Sequence, residues 1–298
     1  MILPNLRHLH YLVALHKHQH FQRAAQACYV SQSTLSSAIL KLEEQLNCQL
    51  IERDHKSFIF TSHGEQIVIM AQQLLCSATE MVDFAVQQGG SCAGSLRIGC
   101  IPTIAPFLLT DLVKLCQQQL PELVLYFRED TTENLLHLLA NGEIDSAILA
   151  LPVPAHQFQQ KVLGKDRFYI AGDPDLVKKF KTVNNYQILP DQSVFLLSKE
   201  HCLTEHALSA CKLVDLSKVN SFSASSVATL VQMTAFHHGF TFLPEMAVNK
   251  GIGKMEGLTI EKLDTNVYRE IGMLWRKTSM RQQTFNQLGS VISAIFTP

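Results

Sequence analysis

The stretch "FQRAAQACYVSQSTLSSAILKLEEQL", residues 21–46, decides the fold of the N-terminal part of the chain. Its apolar residues recur at helical spacing with a break near Tyr29 and Val30, which predicts two short helices that meet at a tight turn. Ser31 is a good N-cap, so the second helix is expected to begin just after it. The apolar positions are Ala24, Ala25, Cys28, Leu35, Ile39, Leu42 and Leu46. These proportions are those of a helix–turn–helix.

The second of these helices has short polar side chains near its N-terminus, the end that enters the major groove of DNA in such motifs. The polar residues are Gln32, Ser33, Thr34, Ser36 and Ser37. Three basic residues, Arg23, Arg53 and Lys56, are expected to contact the phosphate backbone. A helical bundle with a serine-rich cap explains the same spacing, so the residues alone leave DNA binding open.

Composition and charge narrow the class of protein only moderately. The chain has 298 residues, of which 47% are apolar and 17% are charged, and this predicts a globular protein of about two domains. No apolar run is long enough to span a membrane, and no export signal is visible. The net charge of -1 argues against a nucleic-acid binder. Residues 1–62, however, carry six Lys or Arg against four acids, so the N-terminal part is mildly basic.

The cysteine content points to a compartment. Eight cysteines without an export signal predict a cytoplasmic protein whose thiols are reduced by default. Any disulfide in such a protein is expected to be transient or sensing.

Residues 57–88 are predicted to form a short strand and then a long helix. "SFIFTS" at 57–62 alternates like a strand, and the helix that follows has a heptad seam in which Ser77 is the weak position. The apolar seam residues are Ile67, Met70, Leu74, Met81 and Phe84. A long amphipathic helix after a small domain often pairs with a copy of itself, and packing on its own chain is the alternative.

Beyond the glycine-rich segment "QQGGSCAG" at 87–94, strands and helices alternate. "SLRIGCI", "LVLYFRE" and "SAILAL" are predicted strands separated by two helices, which indicates a parallel βαβαβ sheet. A second strand–helix series follows, so we expect two α/β lobes with a cleft between them. The predicted domains are 1–62, a linker helix at 63–90, and 91–298. Lobe 1 covers about 91–166 and 267–298, and lobe 2 about 167–266.

A second group of candidate functional residues lies in "HCLTEHALSAC", residues 201–211. Metal binding would use His201, Cys202, His206 and Cys211, but this spacing matches no common zinc site. Two thiols packed in a core are the second interpretation. The third is a redox switch, in which one thiolate attacks a peroxide and the sulfenic acid condenses with the other thiol.

Helix geometry suits a switch better than a permanent crosslink. If the segment between the cysteines is helical, the two Cα atoms stand about 14 Å apart, since each residue rises ~1.5 Å. A disulfide tolerates at most ~7 Å, so oxidation would have to unwind or move the segment. A reactive thiol also needs a neighbour that lowers its pKa from about 8.5, and His201 or an arginine brought close by the fold is expected to do so.

The sequence from 21 to 64 resembles, without gaps, the start of LysR-type transcriptional regulators. The matching positions are Ala24-Ala25, Ser31-Gln32, Leu35-Ser36, Ile39, Leu42-Glu43, Leu46, Leu50, Arg53, and Thr61 to Gly64. The resemblance extends over the whole chain. It implies a winged helix–turn–helix, a long linker helix and a bilobed α/β effector domain like periplasmic binding proteins. It also implies a homodimer or homotetramer that binds paired half-sites on double-stranded DNA. Leu40 stands where many relatives carry a basic residue.

The segment around the thiol pair and "GSLRIGCIPTIAPFLL" at 94–109 resemble the peroxide-responsive members of this family. The resemblance implies that Cys202 is the reactive cysteine and Cys211 the resolving one. Carried over by position, the pocket also contains His201, Thr103, Thr132 and Arg269, with Thr131 and Arg276 as alternatives for the last two.

The function that this resemblance implies is a regulator and not an enzyme. Hydrogen peroxide would form the Cys202–Cys211 disulfide, change the DNA contacts and alter transcription of antioxidant genes through RNA polymerase. Glutaredoxin or thioredoxin would reduce the disulfide, and no cofactor, metal or membrane is implied.

One alternative is a regulator that responds to a metabolite bound in the cleft. Another is a thiol peroxidase, against which the N-terminal 62 residues argue because an enzyme has no evident use for them.

Overall fold

The computed structural model describes residues 3–54, 57–86, 92–183, 186–210, 215–254, 257–263 and 267–296. The chain forms two compact units. The first comprises Met1–Gln88 with Ala140–Glu143, and the second comprises Gly89–Leu139 and Ile144–Pro298. In the part of the chain that is described, no helix is long and apolar enough to cross a membrane.

The first unit is a winged helix–turn–helix followed by a long helix, as predicted. Its elements are α1 (Leu6–His18), α2 (Phe21–Ala27), α3 (Gln32–Leu46), β1 (Ile51–Arg53), β2 (Phe58–Phe60) and α4 (Ser62–Val86). β1 and β2 pair antiparallel and form the wing. The sequence predicted a strand at 57–62 but not its partner β1, because three residues are too few to show a periodicity.

Close packing in the first unit restricts the residue type at many positions within a short stretch of sequence. Ala24 and Ala25 are buried in α2, where small side chains let α3 approach closely. Glu43 of α3 reaches the wing, and its Oε1 accepts hydrogen bonds from the backbone N–H groups of Leu50 at 2.8 Å and Ile51 at 3.1 Å. A Cβ at Gly64 would lie 2.1 Å from the carbonyl oxygen of Leu50, so only glycine fits there.

The second unit alternates strands and helices. The strands are β3 (Gly94–Cys100), β4 (Leu123–Glu129), β5 (Ser146–Leu151), β6 (Phe158–Gly172), β7 (Val194–Leu197), β8 (Val219–Ala224), β9 (Phe240–Pro244), β10 (Thr259–Lys262) and β11 (Tyr268–Arg276). The helices are α5 (Ala105–Gln119), α6 (Thr132–Ala140), α7 (Pro174–Val183), α8 (Cys202–Ala210), α9 (Val227–Phe236), α10 (Glu245–Asn249) and α11 (Gln282–Ile295).

These strands form one sheet in the order β4-β3-β5-β11-β6-β9-β7-β8, with β10 paired to β6. The predicted parallel arrangement holds for β3 with β4 and β5. β11 runs antiparallel to both β5 and β6, so the sheet is mixed. β6 pairs with β11 up to Arg167 and with β9 from Phe168 onward, and one strand therefore serves both α/β halves.

Candidate functional site

The centre of the candidate site is the guanidinium of Arg269, on β11. This side chain is buried, with only 2% of its residue surface exposed. Its Nη1 donates to the hydroxyl of Thr103 at 2.8 Å, and its Nη2 donates to the carbonyl oxygen of Thr103 at 3.0 Å. Thr103 follows β3, so one cation fixes both the side chain and the backbone of the loop that leads into α5.

Asp166 balances this buried charge. Its Oδ2 accepts a hydrogen bond from Nε of Arg269 at 2.9 Å, and its Oδ1 accepts from the backbone N–H of Met246 at 3.0 Å. Burial raises the pKa of Asp166, while the Arg269 guanidinium acts in the opposite direction. The sequence pattern did not predict this residue, because an acid between Lys165 and Arg167 resembles part of a solvated surface.

Cys202 is the first residue of α8 and remains partly exposed. The start of the helix is tied to the end of β7, since the buried hydroxyl of Thr204 donates to the carbonyl oxygen of Leu197 at 2.8 Å. The backbone N–H of His201 donates to the carbonyl oxygen of Ser198 at 2.9 Å and closes the turn before the helix. The reactive-cysteine candidate is thereby held on a fixed turn.

The electrostatic setting of Cys202 differs from the one predicted. Burial raises the pKa of the Cys202 thiol, whereas the Arg269 guanidinium and a hydrogen bond from the Thr132 hydroxyl lower it without overcoming burial. The expectation of a net lowered pKa was therefore wrong in direction, because the sequence does not show how much of the sulfur is buried. Cys116, with no such neighbours, has a pKa raised by burial to about 11.

The sequence left open the choice between Thr131 and Thr132 and between Arg269 and Arg276, and these residues have different partners in the structure. Thr131 immediately precedes α6, and its Oγ1 accepts a hydrogen bond from the backbone N–H of Asn134 at 3.4 Å. Thr132 lowers the pKa of the Cys202 thiol. Arg276 is also buried, but its Nη1 donates to the carbonyl oxygens of Leu139 and Ile144. Of these four residues, Thr132 and Arg269 act on the pKa of the Cys202 thiol.

Two histidines flank the thiol along the chain. His201 is buried immediately before Cys202, and His206 lies four residues after it on α8. Cys211, the predicted second thiol, lies outside the described residues. Within the described ranges, no group of three or more His, Cys, Asp or Glu side chains is placed to hold a metal ion.

A second candidate surface is the exposed N-terminal end of α3. The side-chain oxygen of Ser31 accepts from the backbone N–H of Thr34 at 3.1 Å and caps the helix as predicted. Gln32, Ser33, Thr34 and Ser37 are exposed and Ser36 is partly so. Arg53 of the wing donates through Nη1 to the hydroxyl of Ser36 at 3.2 Å.

The remaining predicted DNA contacts are less constrained. Arg23 on α2 is exposed, and Lys56 lies outside the described residues. Leu40 is exposed on α3. An exposed helix N-terminus with polar side chains is the end that helix–turn–helix proteins place in the major groove of DNA.

Two family models match these two parts of the chain. The model described as bacterial regulatory helix-turn-helix protein, lysR family, matches residues 6–65, and the LysR substrate binding domain matches residues 89–294. The chain belongs to the LysR family. It is therefore a member of a family of transcription regulators and not of an enzyme family.

Curated relatives carry two kinds of name. The chain is 35% identical to the HTH-type transcriptional regulator EstR of Acinetobacter baylyi over 297 residues, which cover 98% of this chain and 97% of the relative. It is 33% identical to the hydrogen peroxide-inducible genes activator of Escherichia coli O6:H1 over 290 residues, covering 97% and 95% respectively.

Solved structures place this LysR-type regulator with the OxyR type. A full-length OxyR variant from Pseudomonas aeruginosa superposes with a TM-score of 0.76 at 30% identity, covering 98% of both chains. The reduced form of the regulatory domain of OxyR2 from Vibrio vulnificus is 50% identical, with a TM-score of 0.66, over 70% of this chain and 99% of that one.

Proposed function

We propose that this LysR-type regulator senses hydrogen peroxide at Cys202 and converts the signal into altered transcription of antioxidant genes. The observation that carries the proposal is the place of a partly exposed cysteine at the start of α8, within the electrostatic reach of the buried Arg269 guanidinium and of the Thr132 hydroxyl. A thiolate forming at Cys202 and a hydroxide leaving from peroxide are both anions, and a fixed cation stabilises both.

Thr103 supplies a further contact for peroxide. Its hydroxyl oxygen accepts from Nη1 of Arg269, so the hydroxyl hydrogen remains available to donate to a bound peroxide oxygen. Arg269 thereby orients Thr103 as well as stabilising charge. His201, buried beside Cys202, completes the proposed pocket.

The proposed chemistry has two balanced steps. Cys202 thiol and hydrogen peroxide give sulfenic acid and water, and the sulfenic acid then condenses with the Cys211 thiol to give a disulfide and a second water. Because Cys202 lies in the first turn of α8, a disulfide to a residue beyond the end of that helix requires its backbone to rearrange. Glutaredoxin or thioredoxin would restore the dithiol.

DNA recognition is proposed for α3 and the wing. The exposed polar side chains at the start of α3 would contact base edges, and Arg23, Arg53 and Lys56 would contact phosphates. The exposed residues Met70, Leu74 and Met81 follow the predicted seam of α4, with 57%, 51% and 68% of their surfaces exposed. We propose that this face pairs two copies on paired half-sites, and that the assembled regulator acts on RNA polymerase.

A reporter assay in cells that lack the natural gene tests this function. Cys202→Ser should abolish the peroxide response, and Cys211→Ser should impair it. Cys92→Ser, a partly exposed thiol elsewhere in the second unit, is the matched control and should respond as the wild type does. Mass mapping before and after sub-stoichiometric peroxide should show a new Cys202–Cys211 disulfide, and a fully responsive Cys202→Ser variant would contradict the proposal.

A metabolite sensor is the second candidate, and one cavity favours it. A space of about 730 Å³ lies against Asp166 and is lined by charged side chains of both signs, among them Lys165, Arg167 and Glu245. A small polar molecule bound there would act on the carboxylate of Asp166, which holds Arg269. Under this alternative, the Cys202→Ser variant keeps its full transcriptional response to the metabolite.

A further inference from the structure

His206 occupies a defined position relative to the proposed reactive thiol. It lies on α8 four residues after Cys202, and side chains at this spacing share one face of a helix with Cβ atoms about 5–6 Å apart. Side chains in a helix also lean toward its N-terminus. The imidazole of His206 therefore leans over the turn that begins with Cys202.

The Nδ1 atom of His206 is buried and has no hydrogen-bond partner in the part of the chain that the structure describes. A buried polar atom without a partner destabilises the fold, so a functional explanation is expected for it. A ring nitrogen that no protein group occupies is available to a proton or to a small polar molecule that enters the pocket.

Burial and a nearby cation disfavour the protonated form of the His206 ring. Burial lowers the pKa of His206, the Arg269 guanidinium on β11 lowers it further, and Glu205 on α8 acts in the opposite direction. Burial raises the pKa of the Cys202 thiol, which favours its protonated form. A thiol and an imidazole thus stand about one helical turn apart on α8.

We infer that His206 is the proton relay for Cys202, and this inference rests on the proposed peroxide chemistry. The imidazole takes the thiol proton as the sulfur attacks one peroxide oxygen and the O–O bond breaks. The protonated ring returns that proton to the departing hydroxide, which leaves as water. One thiol and one hydrogen peroxide give one sulfenic acid and one water, and His206 ends the cycle neutral.

The test measures sulfenic acid formation in the full-length protein. A Cys211→Ser background stops the reaction at the sulfenic acid, which dimedone traps and mass spectrometry quantifies on the Cys202 peptide. The rate with hydrogen peroxide is followed from pH 6 to pH 9 for the parent, His206→Gln and His206→Asn. His156→Gln, an exposed histidine of the same unit, is the matched control.

The expected result is a pH-dependent defect. Both His206 variants should react about 100-fold more slowly near pH 7, a typical contribution of a general acid–base group. Their rates should then rise about tenfold per pH unit with the thiolate fraction, so the gap to the parent closes at high pH. His156→Gln should match the parent throughout.

Other outcomes separate the two proposals. If the parent forms no sulfenic acid at Cys202, the proposed function fails and the relay with it. If the parent reacts and the His206 variants share its rate and pH profile, only the relay is overturned. A slowing by one constant factor at every pH also overturns it, because this is the signature of a structural role. A loss of the pH-dependent advantage in His201→Gln alone would assign the relay to His201.

Discussion

The N-terminal tip of α3 is held by contacts between residues close together in the sequence. The pocket around Cys202 is held by contacts between residues far apart in the sequence. Ser31 caps α3 through Thr34, three residues away. Arg269, in contrast, bonds Thr103 and Asp166 across 166 and 103 positions. A surface built from contacts between sequence neighbours leaves a recognisable residue pattern in the sequence. A substitution in such a surface affects only nearby residues. A pocket assembled from distant segments shows little pattern, and one substitution there disturbs several segments at once.

The largest loss of stability should follow substitution of Arg269, which joins segments that are distant in the sequence. Arg269→Met leaves the carboxylate of Asp166 buried without its cation, and breaking such a pair costs about 3–5 kcal/mol. We expect the free energy of unfolding, measured by urea denaturation of the full chain, to fall by about that amount. Sulfenic acid formation at Cys202 should be lost as well.

Two further variants test whether the cost comes from the unpaired charge. Arg269→Met combined with Asp166→Leu removes both charges and should recover most of the stability, since no uncompensated ion remains. Lys250→Ala breaks the exposed pair with Asp111 and should cost only about 0–1 kcal/mol. Equal losses for Arg269→Met and Lys250→Ala would show that the burial of the Arg269–Asp166 pair does not set the cost of breaking it.

A contact of intermediate range should give an intermediate effect. Glu43→Ala removes the carboxylate that accepts from Leu50 and Ile51, seven and eight residues away. A hydrogen bond to a charged group contributes about 1.5–3 kcal/mol, so we expect a loss of that size in urea denaturation. Glu44→Ala, its exposed neighbour on α3, is the control, and it should change stability by less than about 0.5 kcal/mol.

The local cap should give a smaller loss of stability. Ser31→Ala removes the side-chain oxygen that caps α3, and such a change costs about 1 kcal/mol. Thermal unfolding of the full chain measures it, with Ser37→Ala, an exposed serine within the same helix, as the reference. A Ser31→Ala protein as stable as the Ser37→Ala protein would show that the cap does not hold the start of α3.

The smallest expected effect concerns the wing and DNA. If Arg53 contacts a phosphate, Arg53→Gln should weaken binding to specific and unrelated duplexes alike and reduce the salt slope of log K by about 1. Fluorescence anisotropy between low and moderate salt measures this slope. Lys179→Gln, a change of equal charge on exposed α7, should leave it unchanged. An altered sequence preference for Arg53→Gln would instead assign Arg53 to base recognition.

The same contrast explains what the sequence could predict. The succession of strands and helices from β3 to β5 and the cap at Ser31 are local patterns, and both could be predicted from the residues alone. β6 was missed because its 15 residues mix charged, polar and apolar side chains, and its pairing with β11 and β9 creates its burial. Asp166 was missed for the same reason. Arg269 was predicted only through family resemblance, since an arginine at the start of a strand is ordinarily solvated.

Two hydrogen bonds join Thr103 to Arg269, and together they determine which side chains position 103 can accept in evolution. One of its two bonds to Arg269 uses the backbone carbonyl, which every amino acid provides, and the other uses the hydroxyl. Serine could replace threonine and keep both bonds, whereas valine, although of the same shape, would keep only the first. Tolerance at position 103 is therefore set by a single oxygen atom and not by volume.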